Sequence, residues 1–525
     1  MRGSLWKAII GCSGILPLLL GIPVEAQVAP GRSAGGVKET TRGISSPLRA
    51  QAEPAIEEPA GRGVIALSLK EALQLALMNN LDIAVEGFNP RIREAEVVRE
   101  QAVFDVSTFA EVNVGKSVAS SLTFSLFSSP ENRQDQVNAN AGVKQLLPTG
   151  TSYEVRVNNN RLNINPPGTV ASFDPAIRST VGLTLVQPLL KNFGVDVNRT
   201  RINVARNNLG IAEEQLRARA NEVIASAQGA YWDLVAAIDN LKVQRQSLLV
   251  AQELVNLNKA RVRAGVAAPV EVTQAEAEVA ARTQDVIIAQ KGVKDAEDRL
   301  KLILNPPDRD QVWDLVITPT DKPPFEVMEV NLVESIREAL ERRPERKQAE
   351  LNVANADLNF RLARNQLLPK LNFQGGVGVD LLEHRYESPG YNYAAGLVFE
   401  VPIGNRAARA DLLRAKLEAD QARVALQNLD RAITTEVREA VRRIQATAEV
   451  VVASRAGRKL AEEQLRVEQK RLEAGVTTTF NVLRLQRDLV DAQFREIRAI
   501  TEYNKALANL ERVKGTILEK YGLQF

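Results

Sequence analysis

The residues able to do chemistry are few and scattered. One histidine, His384, and one cysteine, Cys12, lie far apart in a chain of 525 residues. A zinc site, an iron–sulfur site, a disulfide framework and most histidine-based catalysis are therefore excluded or badly weakened. His384 sits in a polar stretch before Tyr391 and reads as a loop residue. Gly375-Gly376-Val377-Gly378 has the composition of a phosphate loop, but no helix start with Lys-Ser/Thr follows it. The segment reads instead as a strand with small residues on one face. Charge offers no more: 67 Lys and Arg against 64 Asp and Glu leave a net +3, no electrostatic case for nucleic acid. No enzyme activity, cofactor or metal is implied.

The positions that do stand out are two glycines in matching surroundings. Ala264-Gly265-Val266 precedes Val270-Glu271-Val272, and Ala474-Gly475-Val476 precedes Phe480-Asn481-Val482. The match extends along the chain. A shift of 210 puts Leu234, Leu241, Leu248, Val255, Val262 and Gly265 on Ile444, Val451, Arg458, Leu465, Leu472 and Gly475, and only Arg458 breaks the apolar pattern. A shift of 263 puts Leu69, Glu71, Ala76 and Leu77 on Leu332, Glu334, Ala339 and Leu340. The chain is a duplication whose first repeat carries 53 more residues, from 263 − 210, ahead of its long helix.

The sevenfold spacing gives each long helix a coiled-coil seam. The first, from about Asn198 to Ala264, extends roughly 100 Å at 1.5 Å per residue. An earlier heptad run, Leu209, Leu216 and Val223, slips register before Leu234, a stutter that locally unwinds a supercoil. Gly265 and Gly475 end the long helices because glycine tolerates positive φ. Return helices are expected from Val270 to Leu304 and from Phe480 to Leu518. Shorter helices are expected over Leu69 to Asn79 and Leu81 to Phe104. The charge-rich segments Arg337 to Lys347 and Arg455 to Lys470 read as solvated helix faces.

Between the helices, six stretches alternate apolar and polar residues with a period of two. Val137 to Lys144, Tyr153 to Asn158, Thr180 to Leu185, Leu371 to Asp380 and Tyr391 to Val401 are clear, and a rougher one surrounds Val112 and Val114. Such alternation suits a strand with lipid on one face and a watery lumen on the other; a soluble sandwich would show the same period. The tight turn Leu147-Pro148-Thr149-Gly150, set against longer polar connections around 119–134, 159–178 and 382–390, has the asymmetry of a membrane barrel. Since a few strands cannot close a barrel and lipid tolerates no open edge, the chain must oligomerise.

The N-terminus completes the picture. Residues 1–26 read as an export signal, with Arg2 and Lys7 before an apolar stretch and small residues at Val24-Glu25-Ala26. A lipoprotein box at Ile9-Ile10-Gly11-Cys12 is the alternative, although the apolar run continues past Cys12. Residues 27–63 have the composition of a disordered arm. No later window is apolar enough for a transmembrane helix.

The order of export signal, helix pair, strands and long helical hairpin, given twice, resembles the outer membrane efflux protein family, the TolC-like channels. Supporting positions are Pro188 and Pro402 before the long helices and the two tip sequences around Gly265 and Gly475. The resemblance covers about residues 64–520. It implies an α+β membrane protein of two structural repeats, whose β-hairpins form a shared trimeric transmembrane β-barrel above a periplasmic α-helical tunnel. The first repeat would span 64–305, with strands within 105–188 and a helical hairpin over 196–304. A linker over 306–328 leads to the second, 329–519, with strands within 369–402, a hairpin over 405–518 and a tail at 520–525.

The resemblance further implies a passive outer-membrane conduit in a homotrimer, working with a periplasmic adaptor and an inner-membrane transporter in efflux or type I secretion. A periplasmic coiled-coil scaffold is the alternative. In the family the tunnel closes at the helical tips, where carboxylates ring the pore. The matching positions here, Asn481 and Arg484, are not acidic. Glu271 matches an acidic lock residue, but the positions of its basic and phenolic partners hold Thr477 and Leu472. Glu271 is thus either a lock residue or a solvated helix-start carboxylate, and Arg484 is first a surface charge. The family has two strands per repeat, whereas four are read here in the first. Whether the added pair joins the barrel or folds as an extracellular extension is left open by the sequence.

Overall fold

A computed structural model describes residues 64–120, 131–165, 176–306, 313, 315–382 and 390–523. The expected signal and arm, Cys12 and His384 lie outside the described residues. The chain opens with β1 (Val64–Leu67) and α1 (Leu69–Asn79). Ser68 caps α1 in a box, its hydroxyl accepting from the Glu71 amide while the Glu71 carboxylate accepts from the Ser68 amide at 2.9 Å. Asn80 then caps α2 (Leu81–Glu86) through its Oδ1. The helix expected over 81–104 is broken: α3 runs Phe88–Gln101 after Gly87 and ends in a 3-10 turn at Ala102–Phe104. Pro90 has no amide proton to continue the ladder across that junction.

Strands β2 (Ser107–Ser120), β3 (Glu131–Leu146), β4 (Ser152–Asn165) and β5 (Ala176–Pro188) follow. Then come a short α4 (Val195–Asn198), the 64-residue α5 (Thr200–Arg263) and α6 (Pro269–Leu304). β6 (Val316–Pro319) lies inside the stretch expected to be a linker and pairs in parallel with β1, Val64 opposite Val316. The second repeat has α7 (Leu332–Arg342), α8 (Pro344–Gln366), β7 (Lys370–Leu382), β8 (Gly390–Glu400), the 68-residue α9 (Arg406–Glu473) and α10 (Thr479–Lys514). α10 stops short of the expected Leu518 because Gly515, at φ +74°, turns the chain before α11 (Ile517–Lys520).

The helices lie side by side in a constant order. Near the sheet, α5 packs between α3 and α8, with α9 beyond α8; farther away α6 replaces α3 and α10 replaces α8. One apolar core gathers around Tyr231, Leu234, Leu300 and Leu304, and another around Val437, Ile444, Val451 and Tyr503. The heptad positions are buried at Leu234, Val255, Ile444, Val451, Leu465 and Leu472 and half-buried at Leu241 and Leu248. Arg458, the one mismatch, joins Arg455 in holding Glu496 of α10. The charge-rich segments are not wholly solvated. Arg343 is buried against Glu345 and Glu436, and Glu468 is buried at the far end of α9.

β2, β3, β4, β5, β7 and β8 form one antiparallel sheet in that order. All six alternating stretches are strands; five run longer than the alternation indicated, while β8 starts at Gly390 and ends at Glu400, one residue before the expected Val401. Register carries the apolar sets across the whole sheet. One row runs Ala110, Ala141, Val157, Val181, Val379, Tyr391, and the next runs Thr108, Val143, Val155, Leu183, Val377, Tyr393. The opposite face carries Glu111, Asn140, Asn158, Thr180 and Asp380 in a row. Arg178 donates to Asp380 at 2.7 Å there. Among the described residues, β2 and β8 each have a partner on one side only.

Candidate functional site

The two expected tip glycines close their helices in the same way. Gly265 has φ +72° and Gly475 φ +74°. The Gly265 amide donates to the Val262 carbonyl and that of Val266 to Arg261; the Gly475 amide donates to Leu472 and that of Val476 to Arg471, all at 3.0 Å. This is the two-bond helix stop that a left-handed residue permits. Beneath both tips, Leu254, Leu465, Leu472, Val482 and Leu483 form a small core between α5, α9 and α10. The position expected to hold a phenolic lock partner, Leu472, belongs to that core.

Glu271 is not a merely solvated carboxylate. Its Oε2 accepts from the fully buried Thr479 hydroxyl at 2.8 Å, and its backbone carbonyl accepts from Asn258 Nδ2 at 3.2 Å. Asn258, also fully buried, has its Oδ1 3.4 Å from the same hydroxyl. One hydrogen-bonded cluster therefore ties α5, α6 and α10 together. Asn481 is wired within its own repeat: its Nδ2 donates to Thr477 Oγ1 at 3.1 Å, and Thr477 donates to Glu468. Arg484 is exposed and makes no ion pair with the described residues. The structure brings Glu271 to the second repeat and leaves Asn481 and Arg484 out of that contact.

Two turns farther along α6 lies a charged cluster that the sequence reading did not single out. Glu278, 3% exposed, accepts from Arg282 of its own helix at 2.9 Å and from Arg487 of α10 at 3.2 Å. Burial works against the Glu278 carboxylate, but the Arg487 hydrogen bond and the two guanidinium charges outweigh it and hold its pKa below the ordinary carboxylate value. Arg282 also reaches Asp285 at 3.3 Å. A signal for these residues exists in the spacing: Ala275, Arg282, Ala289 and Ala296 recur by sevens and all are buried. Asn258 and Glu468 each stand three residues after a buried seam residue, Val255 and Leu465. Polar groups at seam positions mark contacts that fix register.

Among the described residues, no group of His, Cys, Asp and Glu is arranged to hold a metal, and no helix is long and apolar enough to cross a membrane. What the geometry offers is a sheet with one apolar face and open edges, carried on paired helical hairpins far longer than a globular core requires. That defines a class of membrane-wall subunit with long helical extensions. The chain belongs to the outer membrane efflux protein family, whose model matches residues 72–306 and 335–516, and its place is the outer membrane.

Among relatives, it is 27% identical to the pyoverdine export outer membrane protein OpmQ of Pseudomonas putida over 285 residues, 53% of this chain and 58% of that protein. The matched segment thus spans less than two thirds of OpmQ. It is 23% identical to the outer membrane efflux protein BepC of Brucella suis over 364 residues, 68% of this chain and 76% of that protein. Two solved structures share the fold. CusC superposes with a TM-score of 0.64 at 15% identity, covering 88% of this chain and 95% of that one. The Campylobacter jejuni CmeC outer membrane channel superposes at 0.61 with 14% identity, covering 91% and 94%.

Proposed function

We propose that three copies of this chain form an outer-membrane channel of an efflux or secretion system. The single observation that carries the reading is the apolar row running unbroken from β2 to β8 and ending at two unpaired edges. Lipid can cover such a face, but it cannot satisfy the free amides and carbonyls of an edge. Further copies of the same strands can. The barrel then closes by pooling strands, and the pairs α5/α6 and α9/α10 extend into the periplasm as a tunnel. The channel catalyses nothing and conducts passively; the energy comes from an inner-membrane transporter linked through a periplasmic adaptor.

Closure is assigned to the tips around Gly265, Glu271, Gly475, Asn481 and Arg484, with Glu271 joining the repeats through Thr479. Protein purified in detergent should crosslink as a trimer and conduct in planar bilayers. A water-soluble single subunit without conductance would overturn the reading. Asn481→Cys should form disulfides between copies that lower conductance until a reductant is added. Conductance indifferent to that crosslink would move the gate elsewhere.

A further inference from the structure

Four strands of each chain are joined to helices at the same end of the sheet: α3 leads to β2, β5 leads through α4 to α5, α8 leads to β7, and β8 leads to α9. β3 and β4 are different. They meet there in the turn Leu147-Pro148-Thr149-Gly150, where the Gly150 amide donates to the Leu147 carbonyl at 2.9 Å, and no helix continues them. We infer that this hairpin is part of the lipid-facing wall, so that a trimer closes a barrel of eighteen strands, six from each copy, with a lumen wider than the four helix-joined strands per copy would enclose. The inference rests on the trimeric channel reading above.

Three observations carry it. The hairpin is paired along its length on both sides, from Ser107 opposite Lys144 to Ser120 opposite Glu131, and from Ser152 opposite Val186 to Leu162 opposite Ala176. A hairpin rising out of the wall would leave part of β2 and β5 to pair with each other. Next, both apolar rows cross it without a step, through Ala141 and Val157 and through Val143 and Val155. Along β3 the outward Arg133, Asp135, Val137, Ala139 and Ala141 are exposed while Gln134, Gln136, Asn138 and Asn140 between them are half-buried, so the sheet bends around its polar face.

Finally, the turn is seated at the base of the wall. The Thr149 carbonyl accepts from the Gly194 amide at 3.2 Å, and a Cβ on Gly150 would come within 2.4 Å of the Asn192 carbonyl oxygen. Gly150, at φ +93°, is the residue that lets the hairpin sit against the start of the long helix.

Barrel diameter grows about linearly with strand number, and at roughly 16 to 18 strands the interior holds an aqueous channel. Going from four to six strands per copy widens the barrel about 1.5-fold and its cross-section about twofold. The added surface is amide-rich: Gln136, Asn138 and Asn140 on β3 and Asn158 and Asn160 on β4 share the inner face. The barrel is therefore not the narrow point of the conduit. It suits bulky, hydrated cargo with a polar surface, and selection falls to the helical tips.

The test uses the full-length trimer in liposomes with single cysteines in a Cys12→Ser background, each carrying an environment-sensitive dye. Val181→Cys and Thr180→Cys on the helix-joined β5 serve as the reference pair. Ala141→Cys and Val157→Cys should lose at least half their emission to a lipid-borne quencher, as Val181→Cys does. Asn140→Cys and Asn158→Cys should respond to aqueous iodide alone, as Thr180→Cys does. If the β5 pair behaves this way while all four hairpin positions see only water, the hairpin lies outside the wall and this inference falls with the channel reading intact. If Val181→Cys also sees only water, the channel reading falls and takes the inference with it.

Discussion

At Gly265 the chain turns from α5 into α6, and at Gly475 from α9 into α10, with the same backbone angles and the same pair of hydrogen bonds. The shift of 210 that superposes the glycines also puts Asn258 on Glu468, Glu271 on Asn481, Glu278 on Asp488 and Arg282 on Ala492. In the first tip Glu278 and Arg282 are buried; in the second Asp488 is exposed and Ala492 is part of the packing. Thr479 and Arg487, on the second hairpin, donate to Glu271 and Glu278 on the first. Duplication kept the shape of the hairpin, because glycine and the seam dictate it. The polar chemistry diverged, so that across the contact the first tip presents acceptors and the second donors, beside the bonds each tip makes within itself.

The sharpest way to break that comparison is to neutralise the same position in both tips. Glu278→Gln leaves Arg282, itself 7% exposed, without its main counter-charge. Removing one partner from a buried ion pair costs about 3 kcal/mol at the lower end of the usual range, the end that fits because Arg487 is largely exposed. The thermal midpoint of the helical circular dichroism signal should fall, and closed-state conductance should rise several-fold. Asp488→Asn, its counterpart, should stay within about 0.5 kcal/mol. Equal effects at the two positions would show that the tips are energetically alike after all.

Gly265→Ala and Gly475→Ala test the half of the comparison that says the backbones are equivalent. A Cβ at either site meets open space, so the substitution pays only for its left-handed conformation, about 1 kcal/mol. Both variants should lose the same amount in thermal melts. A clear difference between them would mean that one tip is held by something other than its helix stop.

What could be read from the sequence follows the same division. Positions fixed by local physics were legible: Gly265 and Gly475 as helix stops, six alternating strands, and a heptad seam whose single mismatch, Arg458, turns out to bind Glu496. The kink at Gly87 was missed although Pro90 announces it. β1 and β6 were missed because four residues give alternation too little length to register, and their pairing joins segments about 250 residues apart. The partners in contacts between repeats have no local signature. Thr479 meets Glu271 from 208 residues away and Arg487 meets Glu278 from 209. Only the polar residues at seam spacing hinted that such a layer exists, and reading Glu271 through its expected partners Thr477 and Leu472 pointed away from Thr479.

A smaller effect is expected at the hydrogen-bonded cluster around Thr479. Thr479→Val keeps the shape and removes the hydroxyl that bonds Glu271, with a net loss of about 1 kcal/mol. Thr477→Val disturbs a bond within the second hairpin and should leave the contact between repeats intact. A double-mutant cycle of Thr479→Val with Glu271→Gln should return a coupling of about 0.5 to 1.5 kcal/mol, whereas Thr477→Val with Glu271→Gln should return none. Coupling in the second cycle would mean that the two tips share one network instead of two.

The smallest expected effect is that of pH near neutrality, and its sign follows from Glu278. Burial raises the pKa of this group, but Arg487 and Arg282 more than reverse that and leave the folded value depressed. Glu436 is held low in the same way: burial opposes, and the hydrogen bond from Arg343 prevails. A depressed folded pKa means that the native state binds fewer protons than the unfolded one. The associated stability is fully present above the unfolded carboxylate value, about 4.3, and is lost as pH falls through the lower folded value. Thermal midpoint and closed-state conductance should therefore stay flat from about pH 8 to 5 as far as these carboxylates are concerned, and tip closure should weaken only in stronger acid. Glu278→Gln should remove that acid-side loss at the tip, leaving its conductance equally high at both ends of the range. If the unsubstituted protein opened near pH 6 and Glu278→Gln abolished the transition, the carboxylate would be titrating well above its expected range. The ion cluster could then not be what holds the first tip to the second.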